Sequence, residues 1–460
     1  MKTSFLILLN QTFTLGMKFL KKLNTALHLK IKELEKDATV LPASLILPFD
    51  KNILSKVKYP KYVIGVTGSS GKGSTTALLA HILEENGIKT VWNKSGSNVV
   101  NGTTTLILNN TNIFTHKMKC DCLLLEMDES YIKETFKKST LTHLILTNIT
   151  RDQPARNGTP EIILNKIVNA IDEKTHLIIN ADDPFMNQFT FLHQGEKTTY
   201  GIAKSKYSLT KPISNNLDAA YCPLCHTKLK YKHYNYGHLG NYQCPKCAFK
   251  RIIDYEAKAL DLTKSQMTIN GYRVHLNKNV FFAAYYTIAA YTLCKVIDLT
   301  EENILKALNI NIMQSKRMHS LKLDNREINM LESKNENNLS YYQSLQYINE
   351  SQGQKTIILG FDNVSRRYKH NDLSWLYDVD FEVLKMQNIS RIFCIGRFRF
   401  DVAARLINAG ISESKLMLVD EIVNIKKLLQ ENSAGTIFTM VCFDMTEELK
   451  KIFMEVMDEN

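Results

Sequence analysis

The sequence predicts an α/β protein built on a mostly parallel sheet with helices on both faces. Three observations predict it. Strand and helix patterns alternate from residue 62 onward, a glycine-rich turn bearing a lysine joins the first such strand to the first such helix, and a second α/β pattern follows a long apolar helix. The chain has 460 residues, enough for two or three domains, and its 44% hydrophobic and 23% charged content is that of an ordinary globular protein. The formal net charge of +12 points to acidic partners such as nucleotides, nucleic acid or an anionic membrane surface, although no run of like charge concentrates the excess.

The first 60 residues read as a helical lead-in. MKTSFLILLNQTFTLGMKFL has an apolar run broken by Asn10 and Gln11, too short to span a bilayer and without a small-residue cleavage pattern. It reads as a helix of the first domain or a segment lying on a surface, in a cytoplasmic protein that can touch the membrane face. LPASLILPFD is an extended approach to the turn that follows.

That turn lies in YVIGVTGSSGKGSTT, residues 62 to 76. Val63, Ile64 and Val66 read as a buried strand, and Thr75 to Leu83 as a helix. Gly68, Ser69, Ser70, Gly71, Lys72, Gly73, Ser74 and Thr75 form a loop whose amides and helix dipole suit phosphate groups. Lys72 supplies a charge for the outer phosphates of ATP or GTP, and Ser74 or Thr75 a hydroxyl for magnesium. The spacing departs from GxxxxGK[ST], because Gly73 stands between lysine and hydroxyl.

Polar residues then recur at strand ends. Glu126, followed by Asp128 and Glu129, closes the apolar run CLLLE and is placed to hold magnesium. THLILTNIT ends on Asn148, with Arg151 and Asp152 beyond it. THLIINADDP ends on Asn180, Asp182 and Asp183. Asn and Asp are ordinary turn formers, yet three polar ends in series point to a crevice at the carboxyl edge of the sheet. Near residue 216 the composition turns to Tyr, His, Lys and Cys. Cys222, Cys225, Cys244 and Cys247 form two CxxC pairs, the spacing of a structural zinc ribbon with four thiolates. His226, His233 and His238 are expected to stand outside the metal shell.

Residues 277 to 297 read as an apolar helix of the core. Beyond about residue 311, TIILGFD, RIFCIG and TIFTMVCF read as strands, and FDVAARLINAG as a helix stopped by Gly410. Between the first two strands, HNDLSWLYDVDFE sets Asp372, Asp378, Asp380 and Glu382 around Ser374 and Trp375. The tryptophan is expected on the surface, marking an interaction or catalytic face. The expected domains are 1–50 (helical lead-in), 51–310 (nucleotide-binding), 216–252 (zinc ribbon inserted in it) and 311–460 (C-terminal α/β).

The phosphate loop resembles that of the Mur ligases, with a Gly-Lys-Gly-Ser variant closer to folylpolyglutamate synthases. NKSGSN with Gly102, EMDE, TNITRDQ, NADDP, YGI, the four-cysteine ribbon with HLG and KR, SWLYDVDFE and GRFRFDVAARLINAGI together resemble the MurT ligase subunits of lipid II isoglutaminyl synthase. The resemblance implies a Mur ligase-type central domain and an ATP- and Mg2+-dependent amide ligase. Its substrate is the D-glutamate α-carboxylate of the lipid II stem peptide, with no nucleic acid expected. It implies a GatD-like glutaminase partner that supplies ammonia, and an aspartate, Asp372 or secondarily Asp378, that completes the partner's Cys–His–Asp arrangement. It gives Lys72 and Glu126 catalytic roles, and Asn148 and Arg317 contacts with nucleotide. It places the work at the inner face of the membrane. Departures from the family are Gly73, Ala283, Tyr286, Lys316, Pro154 and SKNENNLS, where Lys334 and Asn335 persist. Two other readings stay open: a non-catalytic zinc-stabilised scaffold for a glutaminase, and a folylpolyglutamate synthase-like ligase.

Overall fold

The computed structural model describes residues 2–26, 40–94, 98–136, 140–151, 158–212, 217–310, 318–332, 337–363 and 372–454. The chain forms two compact units. The first comprises Met1–Ile149, Pro160–Lys211 and Ala219–Asn311, the second Thr150–Thr159, Pro212–Asp218 and Ile312–Asn460.

In the first unit a nine-stranded sheet is built around β1 (Tyr62–Thr67), whose run of β-branched residues is buried on both faces. The other strands are β2 (Thr90–Trp92), β3 (Cys122–Glu126), β4 (His143–Leu146), β5 (His176–Asn180), β6 (Lys197–Ile202), β9 (Tyr255–Asp261), β10 (Gln266–Ile269) and β11 (Tyr272–His275). A separate hairpin, β7 (Lys230–Tyr236) and β8 (Leu239–Gln243), lies between β6 and β9 in sequence. The sheet order is β11-β10-β9-β6-β5-β4-β1-β3-β2. From β2 to β9 every pair is parallel, and β10 and β11 extend the edge as an antiparallel meander. β1 lies between β3 and β4, so the chain reverses direction across the sheet there. The loop after β1 therefore opens at a topological switch point, where a parallel sheet leaves a crevice.

The helix Lys72–Glu85 follows that loop and packs against Phe281–Val296. The latter is apolar around its whole circumference and buried from Ala283 to Cys294, as a helix without a polar face must be. The N-terminal helix Lys2–Ala26 packs on Val100–Asn109. Asn10 donates to Thr105 O and Asn109 Oδ1, and Gln11 to Leu108 O and Thr111 O. The polar interruption of its apolar run is thus the docking face. LPASLI, expected to be extended, instead forms the short helix Leu41–Ile46, whose proline sits in the first turn where its missing N–H costs no intrahelical bond.

The second unit holds a six-stranded sheet of β12 (Met318–Leu323), β13 (Arg326–Glu332), β14 (Lys355–Gly360), β15 (Ile389–Ile395), β16 (Leu416–Leu418) and β17 (Thr436–Val441). Its order is β12-β13-β17-β14-β15-β16, parallel except for the β12–β13 hairpin. Trp375 corrects the sequence-based expectation of an exposed side chain. It is 1% exposed, with ring centroids of Tyr341 and Phe361 at 5.1 and 5.4 Å. The tryptophan anchors its loop to the core of this unit and marks no surface.

Candidate active site and metal centre

The loop after β1 is held by its neighbours before any ligand arrives. Gly68 adopts φ +131°, and a Cβ there would stand 2.2 Å from Thr147 Oγ1 and 2.6 Å from Asn148 O, so only glycine fits against the end of β4. Asn148 clamps the loop at both of its polar ends: Ser70 N donates to Oδ1 at 3.0 Å and Nδ2 donates to Ser70 O at 3.0 Å. Ser69 N donates to Asn148 O, and Thr147 Oγ1 to Ser70 O. Gly71, at φ +84°, turns the chain into the helix, whose first residue is Lys72. The first-turn amides of that helix have no intrahelical acceptor, which makes them anion donors. Thr75 Oγ1 donates to Gly71 O, which leaves Ser74, half-buried in the first turn, as the candidate metal hydroxyl.

Lys72 is buried. Its ammonium donates to Gly68 O and, at 2.8 Å, to Glu129 Oε1, which also accepts from Gly68 N at 3.0 Å. Glu129 thus ties the base of the loop to its lysine. Glu126, at the end of β3, lies over the start of the helix: a Cβ on Gly73 would stand 3.1 Å from its Oε2. The glycine after the lysine therefore gives room to the carboxylate on the neighbouring strand. Asn98 donates to Glu126 Oε1 at 3.3 Å, and Asn93 pairs with the Glu126 backbone through both its amide atoms. Backbone amides, an ammonium, a hydroxyl and a carboxylate at one switch point fit a nucleoside triphosphate with a divalent ion.

The third polar strand end does different work. Asp182 and Asp183 are fully buried and bind the ribbon rather than facing the crevice. Asp182 receives Arg251 Nε at 2.5 Å, Tyr285 Oη at 2.8 Å, Ile202 N at 2.9 Å and Asn235 Nδ2 at 3.3 Å. Asp183 accepts from Ile149 N and Phe185 N and stands 3.3 Å from His238 Nε2. Gly240 N donates to Asp182 O, and Tyr242 Oη to Ala181 O. Gly201 leaves room for the pair, since a Cβ there would meet Asp182 Oδ1 at 2.3 Å. Burial opposes the charge of Arg251, but Asp182 and Glu256 outweigh it and hold the guanidinium above its ordinary range. NADDP, YGI, HLG and KR are one buried polar knot joining ribbon to sheet.

At the far end of the ribbon, Cys222, Cys225, Cys244 and Cys247 bring their sulfurs within 4.8 Å of one another. Two of the contacts, Cys222–Cys247 and Cys225–Cys244, are 3.5 and 3.4 Å. A zinc tetrahedron with bonds near 2.3 Å has edges of about 3.8 Å, which this cluster accommodates. The amides of Lys246 and Cys247 donate to Cys244 Sγ. Hydrogen bonding with Thr227 lowers the Cys225 thiol to about 6, while burial raises Cys222 to about 12. Leu229, Tyr242 and Phe249 form the ribbon's small core. Among the described residues no histidine joins the cluster.

In the second unit Asp372 is half-buried and accepts from Ser374 N at 2.9 Å, opening the turn Ser374–Asp378. Asp378 accepts from Arg151 Nη1 at 2.7 Å. Buried Arg405 donates to Leu376 O and Val379 O and to both oxygens of Glu382. SWLYDVDFE and the FDVAARLINAG helix are therefore locked together. Ala283 and Tyr286 are buried, and the Tyr286 hydroxyl bonds Asn277. Arg317, Lys316, Asp152, Pro154, Lys334 and Asn335 lie outside the described residues. Sequence reasoning gave no role to Glu129, Asn93, Asn98, Arg251 or Arg405. A spacing of three residues after Glu126 is the only local signal for Glu129.

A family model described as the Mur ligase middle domain matches residues 66–244, and one described as MurT ligase C-terminal matches 334–443. The chain is 29% identical over 393 residues to lipid II isoglutaminyl synthase (glutamine-hydrolyzing) subunit MurT of Staphylococcus aureus (strain COL), covering 83% of this chain and 87% of that protein. The subunit of the same name from Streptococcus pneumoniae is 25% identical over 432 residues, covering 92% and 94%. Among solved structures, a pseudomurein peptide ligase type C from Methanothermus fervidus aligns with a TM-score of 0.67 at 20% identity, covering 88% of this chain and 81% of that one. MurF from Acinetobacter baumannii aligns at 0.61 and 15% identity, covering 91% and 81%. Likeness of sequence along nearly the whole chain and likeness of fold agree, and the chain is a MurT-like protein with the Mur ligase fold.

Proposed function

We propose that this chain is the ATP-dependent ligase subunit of a lipid II isoglutaminyl synthase. It activates the α-carboxylate of D-glutamate in the stem peptide and amidates it to D-isoglutamine. The observation that carries the reading is the conjunction at the switch point of β1: a glycine loop clamped by Asn148, a buried Lys72, and Glu126 over Gly73. A carboxylate is a poor acceptor for an amine, and transfer of the γ-phosphoryl to one of its oxygens creates a leaving group. Ammonia then attacks the acyl carbon, the carbon–oxygen bond to phosphate breaks, and inorganic phosphate departs. Lys72 and the helix-terminal amides stabilise charge on the phosphoryl oxygens. Ser74 and Glu126 would hold Mg2+, which supplies charge neutralisation on the phosphates. The four cysteines would hold Zn2+ with no open position, so the ion stabilises the ribbon and takes no part in the chemistry.

Ammonia comes from a GatD-type glutaminase on the C-terminal domain, 311–460. Asp372, or Asp378 in its place, orients the imidazole of that partner. The test mixes both subunits with ATP, glutamine and lipid II and follows the stem peptide by mass spectrometry. Conversion of carboxylate to carboxamide that requires ATP supports the reading, and an unchanged peptide with active glutaminase present defeats it. Asp372→Asn should reduce glutamine hydrolysis while sparing ATP binding; unchanged hydrolysis moves the role to Asp378.

A further inference from the structure

The N-terminal helix buries polar residues on its inner face and leaves large apolar ones on its outer face. Its buried face carries Asn10 and Thr14 beside Leu6 and Ile7, and Asn10, Gln11 and Thr14, with Ser4, hydrogen-bond to its neighbours. Its opposite face carries Phe5, Leu8 and Leu15, of which Phe5 is 60% and Leu15 67% exposed. Positions 5, 8, 12 and 15 share one side of a helix, so these side chains form a stripe. The short helix Leu41–Ile46 packs beside it and also turns apolar residues outward: Leu41, Leu45 and, just beyond, Phe49 at 67%. A folded chain that places amides inward and phenylalanines outward on one element does not direct that face at water. Exposed apolar groups of this extent mark a contact with another phase or molecule.

The charge of the helix decides which. Its 25 residues hold Lys2, Lys18, Lys21 and Lys22 and no carboxylate. In the neighbouring segment Asp50 is neutralised by Lys56 at 2.6 Å. A second copy docking across a two-fold axis would oppose lysines to lysines, whereas an anionic bilayer attracts them. Among the described residues no helix is long and apolar enough to cross a membrane. We propose that the outward face of Lys2–Ala26, with Leu41, Leu45 and Phe49, is a docking surface for an anionic phospholipid membrane, on which the helix lies flat. The proposal adds to the reading of a lipid-linked substrate, but its test uses neither nucleotide nor substrate.

The full chain is floated with vesicles of phosphatidylcholine alone or mixed with phosphatidylglycerol. It should partition to the anionic vesicles and be released by salt. Phe5→Ser with Leu15→Ser should weaken partitioning by about tenfold or more, from the apolar area withdrawn from the lipid, with thermal unfolding unchanged. Phe49→Ser alone, on a different element, should weaken it in the same direction and stands in if the double variant fails to fold. Absence of parent binding, or equal binding by parent and both variants, overturns the proposal. So does a concentration-dependent dimer of the parent that the variants abolish, which would assign the face to a second copy.

Discussion

Lys72→Ala removes one partner of a desolvated ion pair as well as the ammonium proposed to hold phosphate, so it has two separable effects. The side chains of Lys72 and Glu129 are 11% and 5% exposed and stand 2.8 Å apart. Deleting one member of a buried pair costs about 3–5 kcal/mol, because the other is left charged and unpaired. Glu129 keeps its bond from Gly68 N, which places the expected loss near the low end, about 3 kcal/mol. For a unit of nearly 300 residues that lowers its unfolding temperature by roughly 5 °C. Adding Glu129→Gln to the same chain removes the stranded charge and keeps an acceptor for Gly68 N, so most of the lost temperature should return. Nucleotide binding should not return, because the ammonium is still missing. The assay is thermal unfolding of parent, single and double variants with and without ATP and Mg2+. A single variant as stable as the parent, or a double variant no more stable than the single, refutes the pairing; recovered ATP stabilisation in the double variant refutes the role of Lys72.

Three further outcomes follow from the same geometry. Arg251→Met should destabilise the first unit by about 3–5 kcal/mol in chemical denaturation, because Asp182 is left charged in the interior, whereas paired Asp182→Asn should recover much of the loss. Purified protein should carry zinc at about one ion per chain by elemental analysis, and Cys244→Ser or a strong chelator should remove the metal and lower the unfolding temperature of the first unit. Burial and the nearby His176 push His143 down to about 4 from an ordinary 6.5. The unfolded chain therefore binds a proton between those values that the folded chain refuses. The stabilisation is complete above pH 6.5 and is lost as pH falls toward 4, amounting to about 2 kcal/mol once partial exposure is discounted. His143→Gln should flatten that limb of the stability–pH curve.

A feature is legible in the sequence when the residues that build it lie close together along the chain. The glycine loop, its strand and its helix are legible in the sequence because glycine, lysine and β-branched residues act on their immediate neighbours. The four-cysteine cluster was legible because two CxxC pairs carry their geometry in their spacing. The burial of Trp375 is not legible from sequence because its pocket is built by Tyr341 and Phe361, which its acidic neighbours do not reveal. Asp182 and Asp183 looked like further site carboxylates, yet their partners Asn235, His238, Arg251 and Tyr285 lie some 50 to 100 residues on. Gly73 departs from the usual loop spacing, and its reason lies on another strand: Glu126 stands above it, brought there by the pairing of β1 with β3.

Amidation through an acyl phosphate requires a carboxyl oxygen to leave with phosphorus. Lipid II carrying 18O in its D-glutamate α-carboxylate, incubated with the chain, a GatD-type glutaminase, ATP and glutamine, tests this directly. The label should appear in inorganic phosphate as the carboxamide forms. Carboxamide formed with unlabelled phosphate, or labelled lipid II left intact while ATP is bound, would contradict it.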